Sequence, residues 1–192
     1  MFIAQGKIIH NGGNLILSDK KILEEIKIGN IVIEPYDRQC LGTNSYDVHL
    51  GKWFGLYKDK ILDSKKHNKI DLFEMPEDGY VLQPSNLYLG VTMEYTETQN
   101  YVPFLEGKSS IGRLGIDIHA TAGKGDAGFC NYWTLEISVK VPVKVYPGMA
   151  IGQLIYFNMT KGVEVPYNLK TSAKYNEKSP YPKESMMFKN FK

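Results

Sequence analysis

The sequence predicts a mostly β fold with one short helix near its start, and two observations carry that prediction. Turn residues recur at close spacing, at Glu34-Pro35, Gly42-Thr43-Asn44, Pro76-Glu77-Asp78-Gly79, Gln83-Pro84 and Pro147-Gly148. Fixed φ, missing donors and local side-chain bonds make such residues favour chain reversal. Between the turns lie short β-branched and aromatic runs, among them Leu87–Thr92, Trp133–Val139 and Ile151–Phe157. Runs of this kind read as strands. Many of them at such spacing suit a barrel or a jelly-roll-like pair of sheets.

Taken in order, residues 1–14 carry little pattern and end in Asn11-Gly12-Gly13-Asn14. They read as a poorly packed extension. Ser18 stands where a helix N-cap belongs, Ile22, Leu23 and Ile26 share one helical face, and Gly29 sits at the C-terminal cap. Strand-like runs then fill a domain over 15–160. The last stretch, 161–192, holds seven Lys and three Glu, an excess of 7 − 3 = +4, with Pro166, Pro180 and Pro182. It reads as a mobile basic tail rather than a helix.

The chain has 192 residues, 43% of them hydrophobic, enough for one real core. Its 23 basic and 21 acidic side chains nearly balance, which speaks against nucleic acid and against a membrane surface. Met1–Leu17 lacks a signal-peptide pattern, and no apolar run is long enough to cross a bilayer. Cys40 and Cys130 stand alone, without CxxC or zinc-ligand spacing. The expectation is a cytoplasmic protein with two free thiols.

Segment 106–157 is the informative one. Lys108, Ser109, Ser110 and Arg113 gather two hydroxyls and two cations around a glycine-flanked turn. If a serine capped a short helix there, the backbone would favour phosphate; the plain alternative is a capped turn with solvated charges. Ala122-Gly123-Lys124-Gly125-Asp126-Ala127-Gly128 is a glycine-rich loop with one acid. Its backbone can approach a ligand closely and its acid can accept from a sugar hydroxyl; a tight hairpin would need the same glycines. From Trp133 to Val139 the residues alternate, with Trp133, Leu135, Ile137 and Val139 on one face and Thr134, Glu136 and Ser138 on the other. If the second face lines a pocket, Glu136 is placed for proton transfer; otherwise it is a solvated glutamate.

Together these segments resemble the dCTP deaminase family, a branch of the trimeric dUTPase superfamily. The similarity rests on Gly107–Gly115, on His119-Ala120-Thr121-Ala122 with Asp126-Ala127-Gly128-Phe129, on Thr134-Leu135-Glu136 and on Pro147–Leu154. It also rests on Ile33 to Gly51, on Pro166-Tyr167-Asn168 and on Ala173-Lys174-Tyr175. It spans about residues 15 to 176 and leaves 1–14 outside.

The resemblance implies a dUTPase-like distorted β-barrel or jelly-roll, assembled as a homotrimer with sites between subunits. It implies deamination of dCTP to dUTP and ammonia, on the route to dUMP and dTTP. Glu136 would act as general base and acid, with Ser109 and Arg113 arranging the reacting end. Lys108 and Ser110 would bind phosphate, Asp126 the deoxyribose, and Ala122, Thr134 and Leu135 the pyrimidine. Tyr167 and Lys174 would close the tail over the active site. Magnesium would travel with the triphosphate. No catalytic zinc is implied, because no histidine begins H-x-E and no P-C-x-x-C occurs.

Three features depart from the family pattern. Lys108 replaces a commoner Arg, turning a bidentate grip into a point charge. Asn176-Glu177-Lys178 stand where a glutamine is usual. Gly125 and Ala127 predict a pliable loop around Asp126. Two other readings rank below deamination to dUTP. Gly123, leaving room for a water near the α-phosphate, and Gln153, offering an amide, resemble members that go on to dUMP and pyrophosphate. The last alternative is a non-catalytic nucleotide-binding trimer.

Overall fold

The computed structural model describes residues 15–191. The expected 1–14 extension therefore lies outside the described residues. Helix α1 runs Asp19–Lys27, with the Ser18 hydroxyl accepting from the Lys21 N–H at its start and Gly29 just past its end. It buries Ile22 and, less expectedly, Glu25.

The remaining order is β1 Ile31–Glu34, β2 Tyr46–His49, β3 Trp53–Tyr57, β4 Ile70–Glu74, β5 Tyr80–Leu82, β6 Tyr88–Thr98 and β7 Tyr101–Gly107. It continues with α2 Ser109–Gly112, β8 Ile116–Asp117, β9 Cys130–Val139, β10 Val143–Val145 and β11 Ala150–Asn158. Short 3-10 turns lie at Arg38–Cys40, Tyr167–Leu169 and Met187–Asn190.

The mostly β class follows from these elements. One sheet has the path β4-β3-β6-β9-β8, with β1 also paired to β6; a second is β2-β11-β7; a third is β10-β5. Among the described residues the sheets do not close into one barrel. Every pairing between named strands is antiparallel.

Strand β9 organises the site. Its burial alternates residue by residue. Trp133, Leu135, Ile137 and Val139 enter the core, each large aliphatic side chain worth about 1.5–3 kcal/mol when fully removed from water. That burial fixes the register, because a slip by one residue would turn the core face outward. Thr134 and Glu136 are thereby held on the opposite, half-buried face.

The segment after β11 follows a defined path rather than trailing away. Tyr167 N–H donates to the Ala127 carbonyl (2.8 Å), Ser185 N–H to the Tyr57 hydroxyl (3.1 Å), and His67 pairs with Glu184 at 2.6 Å. No helix among the described residues is long and apolar enough to cross a membrane.

Candidate active site

A cleft of about 510 Å³ lies over the outer face of β9. Ala122, Asp126, Thr134, Glu136 and Tyr167 all line it. Glu136 stands opposite Leu89 of β6, and its Oε2 accepts from the Ala120 N–H at 2.9 Å. Its own N–H donates to the Ile118 carbonyl at 2.8 Å. The chain from β8 thus crosses beside Glu136 and fixes one carboxylate oxygen. Thr134 Oγ1 accepts from the Lys183 N–H at 3.0 Å, so the tail reaches the next outward position of the same strand.

Asp126 pairs with Lys124 at 2.5 Å. Lys124 also lines the cleft and supplies a cation that the motif reading passes over. The loop carrying both is firmly held, contrary to the pliability predicted from Gly125 and Ala127. Gly125 N–H donates to the Pro103 carbonyl at 2.8 Å. A Cβ at Gly125 would lie 2.6 Å from the Trp133 ring and 2.9 Å from Pro103, and Ala127 is buried. The glycine exists because the indole occupies its side-chain space. Gly123 has a similar reason: a Cβ there would stand 2.7 Å from the Leu105 carbonyl oxygen and 3.0 Å from His119 Nε2.

The other sequence-derived residues do not line this cleft. Leu135 is on the core face of β9. Ser109 and Ser110 open α2, Lys108 occupies its N-cap position without a side-chain capping bond, and exposed Arg113 follows its end. Lys108 forms an ion pair with Asp47 of β2. Gln153 lies between Asp47 and Glu106 in the β2-β11-β7 sheet. Lys174 bonds the Asn190 side chain at 2.6 Å. No group of three or more His, Cys, Asp or Glu that could hold a metal occurs among the described residues. Cys40 and Cys130 are free thiols, and burial pushes both upward in pKa.

The cleft also has walls that no local motif announces. Tyr57 arrives from β3, Asn131 from the start of β9, and Ser179, Tyr181, Lys183 and Ser185 from the tail, beside Tyr175 of the Ala173-Lys174-Tyr175 motif. Burial, the largest influence, raises the Tyr175 hydroxyl pKa. Proline and charge in 161–192 signalled an irregular segment; its landing points depend on surface assembled from distant strands.

A sequence profile described as dCTP deaminase-like matches residues 16–159. The chain is 47% identical, over 92% of its length and 99% of the relative's, to a protein of Clostridium beijerinckii named "dCTP deaminase, dUMP-forming". It is 46% identical, with the same coverage, to a protein of that name from Cytophaga hutchinsonii. The solved 2'-deoxycytidine 5'-triphosphate deaminase of Agrobacterium tumefaciens superposes with a TM-score of 0.61 at 22% identity, over 76% of this chain and 48% of that one. That last likeness concerns the fold.

Proposed function

The chain belongs to the dCTP deaminase-like family, and we propose that it is an enzyme that deaminates dCTP and carries the product on to dUMP and pyrophosphate. The observation that carries this reading is Glu136, held by the Ala120 N–H in a cleft shared with Asp126, Thr134 and Tyr167.

With Oε2 engaged by Ala120, Oε1 of Glu136 works on water. It takes one water proton as the water oxygen bonds C4 of cytosine, and delivers that proton to N3. It then moves the second water proton to the amino group. The C4–N bond breaks, ammonia leaves, and the C4 carbonyl forms. A positioned carboxylate of this kind contributes about 10²–10⁴-fold. Asp126 faces the deoxyribose, and Thr134 reads the pyrimidine edge together with the Leu135 backbone. Magnesium comes as part of the substrate, bound to its triphosphate.

Sequence alone put dUTP first as product. The relatives' dUMP-forming names favour the second reaction instead. There a second water attacks the α-phosphorus of dUTP and pyrophosphate departs. This extends the activity without changing the role of Glu136.

The working enzyme is a cytoplasmic homotrimer whose site is completed between copies. Support comes from the division within one chain: Glu136, Asp126 and Tyr167 line the cleft, while Ser109, Ser110, Arg113, Lys108, Gln153 and Lys174 do not. A neighbouring copy's Ser109 to Arg113 turn would bring the missing hydroxyls and guanidinium.

Incubating the protein with magnesium and dCTP, while measuring ammonia and separating nucleotides by charge, tests the reading. Ammonia, dUMP and pyrophosphate should appear together. Accumulating dUTP without pyrophosphate would limit the enzyme to deamination, and absence of ammonia would remove the proposal. Coexpressing Glu136→Gln and Arg113→Ala subunits tests the shared site: the mixture should regain activity that neither variant has alone.

A further inference from the structure

We infer that Asn131 is a positioning residue that clips the C-terminal tail across the cleft; its kinetic consequence rests on the deaminase reading above. Asn131 is 4% exposed. Its Nδ2 donates to the Tyr175 carbonyl (3.1 Å) and the Glu177 carbonyl (2.9 Å). Its Oδ1 accepts from the Ser179 N–H (3.0 Å) and the Tyr132 N–H (2.9 Å). A primary amide has two N–H donors and two acceptor lone pairs, so this one is fully used. Three of its four bonds go to tail backbone within residues 175–179.

The place of the clip matters as much as its completeness. Upstream of it, Tyr167 and Tyr175 line the cleft; downstream, Tyr181, Lys183 and Ser185 line it again. Asn131 holds the crossing between those two stretches, five residues before Glu136 on the same strand. Lys178 adds a cation–π contact, its Nζ 3.6 Å from the centre of the Tyr95 ring. Because the bonds reach backbone groups, they fix the tail's path while leaving its side chains to face the cleft. Unlike a core asparagine serving its own sheet, this one serves a segment that arrives more than forty residues later.

Two variants of the full chain test the clip. Asn131→Asp keeps the acceptor facing Tyr132 and Ser179 but sets an oxygen against the Tyr175 and Glu177 carbonyls. Ser179→Pro removes the N–H that Asn131 accepts, together with the hydroxyl that bonds the Tyr181 backbone, and leaves β9 untouched. Trypsin cleavage after Lys174 and Lys183, at bonds that neither substitution alters, reports tail release without reference to catalysis. Cleavage should accelerate on the order of a hundredfold in Asn131→Asp and about tenfold in Ser179→Pro, since cleavage tracks the open population and each lost bond shifts it severalfold or more. KM for dCTP should rise about tenfold with kcat within roughly threefold. Unchanged cleavage in both variants, or a fall in kcat alone with the tail still protected, overturns the inference. If the wild-type chain releases no ammonia, the deaminase reading fails while the protease result still judges the clip.

Discussion

Replacing Glu136 by Gln exchanges one carboxylate oxygen for an amide nitrogen on the outer face of β9. Two magnitudes follow, and they differ enough to be read apart. The contact at risk in the folded state is the 2.9 Å bond from the Ala120 N–H to Oε2. The amide oxygen can still accept it, so a charge-assisted bond becomes a neutral one, a loss of about 1 kcal/mol. For a chain of this size that corresponds to a fall in Tm of about 2–4 °C. The chemical step loses its proton carrier altogether, costing about 10²–10⁴-fold in kcat. At 1.36 kcal/mol per decade this is about 3–5 kcal/mol of barrier. The assay measures ammonia from saturating dCTP beside nucleotide binding by calorimetry and a thermal melt. Binding should persist, the melt should move little, and ammonia should disappear. Turnover within tenfold of wild type would refute the role given to Glu136.

Gly125→Val should destabilise the fold by about 1–3 kcal/mol through overpacking against Trp133 and Pro103; a melt coincident with wild type would contradict this packing. Gly123→Ala should impair deamination and dUMP formation together, because its Cβ meets the Leu105 carbonyl oxygen and His119; loss of pyrophosphate release alone would return Gly123 to a role beside the α-phosphate. A zinc-selective chelator should leave ammonia release intact, whereas withdrawing magnesium should raise KM for dCTP; one essential zinc per subunit, found by metal analysis, would overturn the scheme. Burial tends to raise the Glu25 carboxyl, but bonds from Lys21, Asn30 and Tyr101 outweigh it and hold the pKa low. Its stabilising contribution is therefore present above the unfolded value of about 4.3 and lost as pH falls through the lower folded value. Glu25→Gln should flatten the acid limb of the stability curve, and an unaltered limb in urea titrations would refute that.

The legible parts of the molecule are those decided within a few residues. Ser18 and Gly29 bracket α1 because capping is local. The alternation from Trp133 to Val139 exposes its meaning in one strand, since a period of two sorts the core face from the cleft face. Once β9 is placed, Thr134 and Glu136 have nowhere else to point. Ala122 and Asp126 come from the loop that precedes β9, and they share the cleft for the same reason.

What stayed hidden depends on surfaces closing over long separations. Gly125 looks pliable when only its neighbours in sequence are considered; eight residues on, the Trp133 indole fills the volume that a side chain would take, and Pro103 closes the other side. The same glycine thus signals freedom in sequence and confinement in the fold. Asn131 carries the same lesson for polar groups. As the second residue of β9 it reads as a strand end, and only the returning tail turns its amide into a buried junction. Burial makes that junction consequential, because a polar group removed from water must find its bonds in the protein. The tail's path is therefore set by the strand beneath it as much as by its own prolines and lysines.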